Sequence, residues 1–251
     1  MVSVKPFSTA LLTVVIATSA AADEVRLAVA ANFNAPMHRI AAQFEKDSGH
    51  KLLISFGSTG KLYGQIANGA PFEALLAADS DTPARLEREG YGVLGTRFTY
   101  AIGKLVLWSA NPALVDDRGD ILKTRSIGHL AIANPKTAPY GAAAITAMSR
   151  LGVIGKLRPI LVQGESIAQT HQFVASGAAE LGFVALSQVQ TEGGIGAGSA
   201  WLVPDNLYEA IRQDAILLTK GRDKPATTAL LAYLRSSKAQ LVIRAYGYEL
   251  P

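Results

Sequence analysis

The sequence predicts an α/β protein of two lobes with a ligand cleft between them. Apolar runs alternate with stretches of helical periodicity along the chain after residue 23. Repeated β-α units of this kind are typical of a largely parallel sheet, because parallel neighbours need crossover helices. One apolar run, residues 98–108, is long for a single strand and contains Gly103. We therefore expect this run to pass from one lobe into the other.

The first β-α series covers residues 25–90. We predict strands over 25–30, 51–56 and 72–77 and helices over 34–48, 61–68 and 82–89. Pro36 is typical of an early helical position, while Gly49 and Gly90 favour helix ends. Three strands alternating with three helices fit one α/β lobe.

The second series begins after residue 103. We predict strands over 130–133, 160–162 and 181–186, helices over 141–151 and 167–176, and a loop over the glycine-rich residues 193–199. A returning strand over 215–219 and helices over 227–235 and 238–246 complete the chain. We assign residues 23–102 and 206–251 to lobe 1, and residues 103–205 to lobe 2, inserted into lobe 1.

The N-terminus has the three-part pattern of a secretory signal peptide, residues 1–22. Lys5 precedes an apolar stretch over 10–17, and small residues end the segment at Ala22. The apolar stretch is shorter than the roughly 20 residues that a membrane-spanning helix needs. We expect cleavage near Ala22 and a soluble, exported protein.

Composition excludes several functions. The chain has no cysteine, which excludes a lipidated N-terminal Cys and thiol chemistry. Its net charge of +4 falls to +3 without the leader, which carries Lys5 and no acid. This charge is small, and no run of Lys or Arg accompanies it, so we expect no nucleic-acid partner.

The segment GSTGK, residues 57–61, looks like a phosphate-binding P-loop, but the spacing is wrong. The first glycine of that motif would fall at Ser55, and the Ser or Thr after the lysine would fall at Leu62. A turn from a strand into a helix N-terminus remains. Such a turn offers unpaired N–H groups and the positive end of the helix dipole, so it suits an anion.

Similar turns occur four times, at residues 31–34, 57–60, 138–141 and 164–167. Each one alone is explained by ordinary N-capping. Ligands of open α/β sheets lie beyond the carboxyl ends of the strands, where such loops meet. Four of these loops, two in each lobe, favour an anion site between the lobes.

No catalytic residues are predicted. The chain has no G-x-S-x-G motif, and its four histidines lack metal-ligand spacing. Asp79 and Asp81 follow a strand, which suits acid-base chemistry or a metal but also suits loop capping. An exported enzyme that uses Asp79 or Ser58, and a sensor or partner-binding module on the same fold, remain as other hypotheses.

Four stretches resemble the periplasmic molybdate-binding proteins of the ModA family: VRLAVAANFNAPMHRIAAQFEKDSGHKLLISFGSTGKLYGQIANGAPFEALLAADSD, RFTYAIGKLVLWSANPALVDDRG, AIANPKTAPYGAAA and SGAAELGFVALSQV. They span nearly all of the chain after residue 23. The resemblance implies the two-lobed type II periplasmic binding fold. It also implies a binding protein without a cofactor, which delivers molybdate or tungstate to the membrane permease of an ABC transporter. Nothing in the sequence demands oligomerisation, so we expect a monomer.

The resemblance also implies a set of ligand-binding residues. Hydroxyls and backbone amides at the four loops would hold the oxyanion, with no protein ligand on the molybdenum itself: Ala31, Asn32, Ser58, Thr59, Tyr140 and Ile167. Some members add a tyrosine at the position of Ala185, and many have a serine in the first loop where this chain has Ala31-Asn32.

The chemistry of the anion agrees with such a site. Molybdate is fully deprotonated at neutral pH, so its oxygens only accept hydrogen bonds, and a donor-only site fits it. A protonated phosphate would need an acceptor, and an unmet group costs roughly 1–3 kcal/mol. Sulfate or another oxyanion stays a possible ligand on this argument. We expect the lobes to close on the anion, with a hinge near Gly103 and near residues 207–215.

Overall fold

The computed structural model describes residues 23–124, 127–191 and 193–251, so the predicted signal peptide lies outside the described residues. The strands are β1 (Glu24–Ala30), β2 (Lys51–Gly57), β3 (Ala74–Leu76), β4 (Phe98–Gly103), β5 (Leu105–Ser109), β6 (Leu130–Ala133), β7 (Leu161–Gly164), β8 (Leu181–Ala185), β9 (Gln190–Thr191), β10 (Gly194–Ile195), β11 (Ser199–Leu202) and β12 (Ile211–Leu217). The helices are α1 (Asn34–Ser48), α2 (Thr59–Ala67), α3 (Asp81–Arg88), α4 (Ile121–Thr124), α5 (Pro139–Arg150), α6 (Ile154–Leu157), α7 (Ile167–Ala175), α8 (Pro225–Leu234) and α9 (Ser237–Ala245).

Two five-stranded sheets form the framework. Their strand orders are β2-β1-β3-β12-β4 and β11-β5-β8-β6-β7. In each sheet two pairings are parallel and two are antiparallel. The prediction of a largely parallel sheet is therefore wrong. Strands β5, β11 and β12 lie where the chain passes between the sheets, and such a strand can pair antiparallel without a crossover helix.

The first sheet is covered by helices on both faces. Along β1, Val25, Leu27 and Val29 pack with apolar residues of α1, α8 and α9. Ala28 points to the other face and packs with α2 and α3. This alternation follows from the two-residue period of a strand, and it buries β1 completely from Leu27 onward. We call this sheet with its helices the first lobe.

The second sheet is built in the same way. Leu105 and Leu107 of β5 face a cluster that includes α5, whereas Val106 and Trp108 face a cluster that includes Val174 of α7. We call this sheet with its helices the second lobe. Among the described residues, no helix is long and apolar enough to cross a membrane.

The connection between the lobes differs from the predicted single long strand. The apolar run 98–108 forms two strands, β4 and β5, in different sheets, and Lys104 separates them. Residues 193–199, predicted as a loop, include β10, which pairs with β9, and the start of β11. The returning strand β12 begins at Ile211, four residues before the predicted start. The residues before the predicted start include Asp214, whose buried carboxylate pairs with Arg97 at 2.7 Å. A charged residue interrupts the apolar pattern of a strand, so the sequence did not indicate that β12 begins earlier.

The strands of the first sheet come from residues 24–103 and 211–217, and those of the second from residues 105–202. The boundaries of the lobes at 102/103 and 205/206 stay a prediction. The other predicted helices and strands differ from the observed bounds by a few residues at the ends, and α4, α6, β9 and β11 were not predicted.

A glycine in the first turn of α5 sets how closely this helix approaches β6. A Cβ on Gly141 would lie 2.7 Å from the carbonyl carbon of Ala133 and closer still to its oxygen. Since these are backbone atoms of a buried strand, they cannot move aside cheaply. We expect Gly141→Ala to lower the free energy of unfolding by about 1–3 kcal/mol, as measured by urea denaturation.

Gly64 in α2 is the matched control, because a Cβ there would meet nothing within 4 Å. We expect Gly64→Ala to raise the free energy of unfolding by roughly 0.5–1 kcal/mol, as is usual for a helix interior. A Gly141→Ala protein as stable as the wild type would contradict the close approach of α5 to β6.

Candidate functional site

Four loops, two from each lobe, meet around one small cavity of about 10 Å³. Its walls contain all six predicted ligand-binding residues and five of their neighbours: Ala30, Ala31, Asn32, Gly57, Ser58, Thr59, Ala78, Ala138, Pro139, Tyr140 and Ile167. The structure thus brings the six residues together. Their contact with an anion stays a prediction.

Strand register explains how the first lobe contributes its half. Ala30 of β1 pairs with Gly57 of β2 in parallel, so both strands end side by side. A 3-10 turn, Ala31–Phe33, follows β1 and leads into α1. Ser58 follows β2, and α2 begins at Thr59. Two helix N-termini therefore face the same point from adjacent strands.

The second lobe repeats this arrangement. Ala133 of β6 pairs with Gly164 of β7 in parallel. The loops after these strands lead into α5 and α7, which begin at Pro139 and Ile167. The first N–H groups of a helix have no acceptor within it. The amides of Thr59, Tyr140 and Ile167 are in first turns, so they are available as donors at the cavity.

Ser58 is the residue that points most directly to a ligand. The residue is 4% exposed, and its hydroxyl has no hydrogen-bond partner in the described part of the chain. It occupies the N-cap position of α2 but makes no side-chain cap bond. A buried hydroxyl without a partner costs about 1–3 kcal/mol. Such a group needs an explanation in a native structure, and at the wall of this cavity an anion would supply the missing partner.

Thr59 has a different environment from its neighbour. Its Oγ1 accepts a hydrogen bond from the backbone N–H of Ala78 at 2.9 Å. The hydroxyl proton of Thr59 is not used by this bond, so it can be donated into the cavity. Thr59 thus joins the loop after β3 to the N-terminus of α2, and it has one donor left.

Asn32 faces the cavity with its backbone rather than its side chain. Its Nδ2 donates to Gln213 Oε1 at 2.8 Å and to the Tyr248 hydroxyl at 2.9 Å. Both side-chain N–H groups are thereby used. Its carbonyl oxygen accepts from Ser187 Oγ at 2.8 Å. The backbone N–H is the donor that Asn32 can offer to an anion.

Tyr140 is held similarly. Its hydroxyl accepts from Gln213 Nε2 at 3.1 Å, and burial raises the pKa of Tyr140 well above its usual value. Burial also raises the pKa of Tyr248 to about 12. Both hydroxyls are therefore protonated at neutral pH. We call the linked buried residues the polar hub: Asn32, Tyr140, Ser187, Gln213 and Tyr248.

Sequence reasoning missed Ser187, Gln213 and Tyr248. Gln213 lies 181 positions and Tyr248 216 positions from Asn32 in the chain. Tyr248 reaches the hub because Glu249 exchanges two backbone hydrogen bonds with Ile102 of β4. No local motif marks such long-range partners. Ala185, the position where some ModA proteins have a tyrosine, is fully buried in β8.

The cavity is lined without ionised side chains. Among the described residues on its walls, none is Asp, Glu, Lys or Arg. Each helix N-terminus carries roughly half a positive charge from the macrodipole. Four of them converge here, so the cavity favours a negative charge while supplying neutral donors. A fully deprotonated oxyanion has the matching chemistry.

The two lobes touch around this cavity. The backbone N–H of Gly60 donates to the Thr137 carbonyl at 2.9 Å. Lys61 Nζ lies 2.6 Å from Glu165 Oε2. Together with the bond from Ser187 to Asn32, these contacts close the cleft on several sides. We call this arrangement, with the lobes in contact around the cavity, the closed form.

A larger cavity of about 390 Å³ lies beside the first and includes Asp79 in its wall. The two oxygens of Asp79 accept from the backbone N–H of Thr82 at 2.8 Å and from its hydroxyl at 3.2 Å. Burial raises the pKa of Asp79. These bonds correspond to the loop-capping interpretation. Within the described ranges, no group of three or more His, Cys, Asp or Glu could hold a metal ion.

Fold and site together define a two-lobed binding protein that encloses a small ligand between its lobes. Comparison with known proteins agrees. Residues 25–249 match the family described as "Bacterial extracellular solute-binding protein". The molybdate-binding protein ModA of Azotobacter vinelandii is 62% identical, over 94% of this chain and 93% of that protein. ModA of Rhodobacter capsulatus is 52% identical, over 93% and 91%.

Solved structures lead to the same result. The periplasmic molybdate-binding protein of Azotobacter vinelandii superposes with a TM-score of 0.88 at 42% identity, covering 90% of this chain and 99% of that one. The chain belongs to the ModA family of bacterial extracellular solute-binding proteins. This confirms the predicted fold class and the expectation of a binding protein rather than an enzyme, since these relatives are named as binding proteins.

The neighbours Ser58 and Thr59 should respond differently to loss of the hydroxyl in the ligand-free protein. Thr59→Val leaves the buried N–H of Ala78 without an acceptor, so we expect the free energy of unfolding to fall by about 1–3 kcal/mol. Ser58→Ala removes a group that has no partner, so we expect equal or greater stability. Urea denaturation of the ligand-free variants measures both. A larger loss for Ser58→Ala than for Thr59→Val would contradict this assignment.

Proposed function

We propose that this protein captures molybdate, and also tungstate, in the periplasm and delivers it to the membrane permease of an ABC importer. One observation carries the proposal: the buried, unpartnered hydroxyl of Ser58 lies where four helix N-termini meet. The names of the similar ModA proteins, which describe molybdate binding, support the choice of ligand.

The proposed contacts follow from the donors at the cavity. The hydroxyls of Ser58 and Thr59 donate from the first lobe, together with the backbone amides of the Ala31-Asn32 loop. The amides of Tyr140 and Ile167 donate from the second lobe. The molybdenum atom has no protein ligand in this scheme. Because all of these groups are donors, an oxyanion that carries a proton would lack an acceptor for it.

Capture begins, in this proposal, with binding to one lobe and ends with closure of the other. The hinge lies where β4 passes into β5, at Gly103 and Lys104, and where the chain returns before β12. Residues 23–102 and 206–251 then move against residues 103–205. The permease recognises the closed form. We further propose that the exported protein works as a monomer, with residues 1–22 removed.

Calorimetric titration of the mature, ligand-stripped protein tests the choice of ligand. We expect one-to-one binding of molybdate and tungstate and no signal with phosphate, because phosphate is partly protonated at neutral pH. Sulfate should bind weakly or not at all if the cavity is sized for the longer bonds of molybdate. Binding of sulfate but not molybdate would support an anion site at the four loops and contradict the choice of ligand. No signal with any of the four anions would favour the hypothesis of a sensor or partner-binding module.

Ser58→Ala tests the group that carries the proposal. Loss of one hydrogen bond to a charged ligand costs about 1.5–3 kcal/mol, so we expect roughly 10- to 100-fold weaker molybdate binding. Ser149→Ala, an exposed serine farther along α5 whose hydroxyl bonds the Ile145 carbonyl, is the matched control and should bind as the wild type does. Undiminished affinity in Ser58→Ala would remove Ser58 from the site.

A further inference from the structure

The return strand β12 carries a buried side chain that contacts ligand loops of both lobes. We propose that Gln213 is a positioning residue that stabilises the closed, anion-holding form through Asn32 on one side and Tyr140 on the other. This inference rests on the proposed function, and it goes beyond it by assigning a role to a residue that does not line the ligand cavity.

The carboxamide of Gln213 uses both of its ends. Its Oε1 accepts from Asn32 Nδ2 at 2.8 Å and from the Tyr100 hydroxyl at 3.1 Å. Its Nε2 donates to the Tyr140 hydroxyl at 3.1 Å. The side chain is completely buried. An amide supplies an acceptor and donors without a charge, which matters beside a cavity for a dianion, where a buried carboxylate would repel the ligand.

The backbone nearby leaves room for this contact. A Cβ on Gly103, at the end of β4, would collide with the Tyr140 hydroxyl and lie 2.6 Å from Gln213 Nε2. The Gln213–Tyr140 bond thus occupies space that any other residue at position 103 would fill. The absence of a side chain at position 103, where the chain passes between the sheets, therefore makes room for this bond.

The bonds of Gln213 determine which groups the two loops present to the cavity. With the Asn32 side chain and the Tyr140 hydroxyl engaged inside the hub, the backbone amides of these residues are left for the anion. Asn32 belongs to the first lobe and Tyr140 to the second. Gln213 therefore holds the amide donors of both lobes in register, and a bond that spans the lobes favours the closed form over the open one.

Tyr140→Phe tests this role, because it removes a single oxygen and keeps the backbone amide. In the closed form it leaves Gln213 Nε2 buried without an acceptor. We expect molybdate to dissociate roughly three- to tenfold faster, with the association rate within about twofold of the wild type. Stopped-flow mixing of the mature protein with molybdate measures both rates. Gln213→Met should accelerate dissociation at least as much.

The double variant tests whether the two residues act through one bond. If they do, its dissociation rate will be no higher than that of the faster single variant. Tyr233→Phe, which loses a hydroxyl bond to Asp47 on the exposed surface, is the matched control and should leave both rates unchanged. Thermal unfolding of the ligand-free proteins separates a change in closure from a general loss of stability.

The possible failures are distinguishable. Wild-type protein that gives no molybdate signal overturns the proposed function. Wild-type binding with an unchanged dissociation rate in Tyr140→Phe, or effects that multiply in the double variant, overturns the role of Gln213 alone. Should Gln213→Met fail to fold, the dissociation rate of Tyr140→Phe decides by itself.

Discussion

The parallel pairing of two strands in each lobe is the constraint on which the site depends. Because Ala30 pairs with Gly57 and Ala133 with Gly164, each lobe ends two neighbouring strands at one edge. The loops that follow must turn back as helices, and their first N–H groups point to the same place. Each lobe thus offers half of a donor cradle. Neither half encloses an anion by itself.

A cradle of neutral donors has consequences that a cationic site would not have. A fixed Lys or Arg would attract any anion, whereas neutral donors discriminate by protonation state and by distance. Lys61, one residue beyond the Gly60 contact, is paired with Glu165 of the other lobe at 2.6 Å. This pairing offsets its charge near the cavity. The uncharged lining therefore favours selectivity over simple charge attraction.

Local pattern was sufficient for most helices and strands and for the four loops of the cavity, because neighbouring residues determine where a strand ends and a helix begins. The six individual residues came from the resemblance to the ModA family. It was insufficient where distant segments decide. The mixed sheets depend on which strands β5, β11 and β12 pair with. Asp214 can be buried in β12 because it pairs with Arg97, which is distant in the sequence. Likewise, the sequence around Asn32 does not indicate that the Asn32 side chain donates a hydrogen bond to Gln213. From the sequence, Ser58 and Thr59 are two adjacent hydroxyl residues with the same expected role. Only the structure shows that the Thr59 hydroxyl accepts a bond from the backbone N–H of Ala78.

The polar contacts that join the lobes in the described part of the chain are individually weak. The Lys61–Glu165 pair is more than half exposed on both sides, and such pairs contribute about 0–1 kcal/mol. Other links in the described part of the chain are the hydrogen bonds from Gly60 to Thr137, from Ser187 to Asn32, from Tyr248 to Ser187 and from Gln213 to Tyr140. Lys104, where the chain crosses between the sheets, also pairs with Glu249 at 3.0 Å. A ligand shifts a two-state equilibrium only by its differential affinity for the two forms. In the proposed mechanism, links of this size would let the empty protein open, and the anion, held from both sides only after closure, would supply the preference for the closed form.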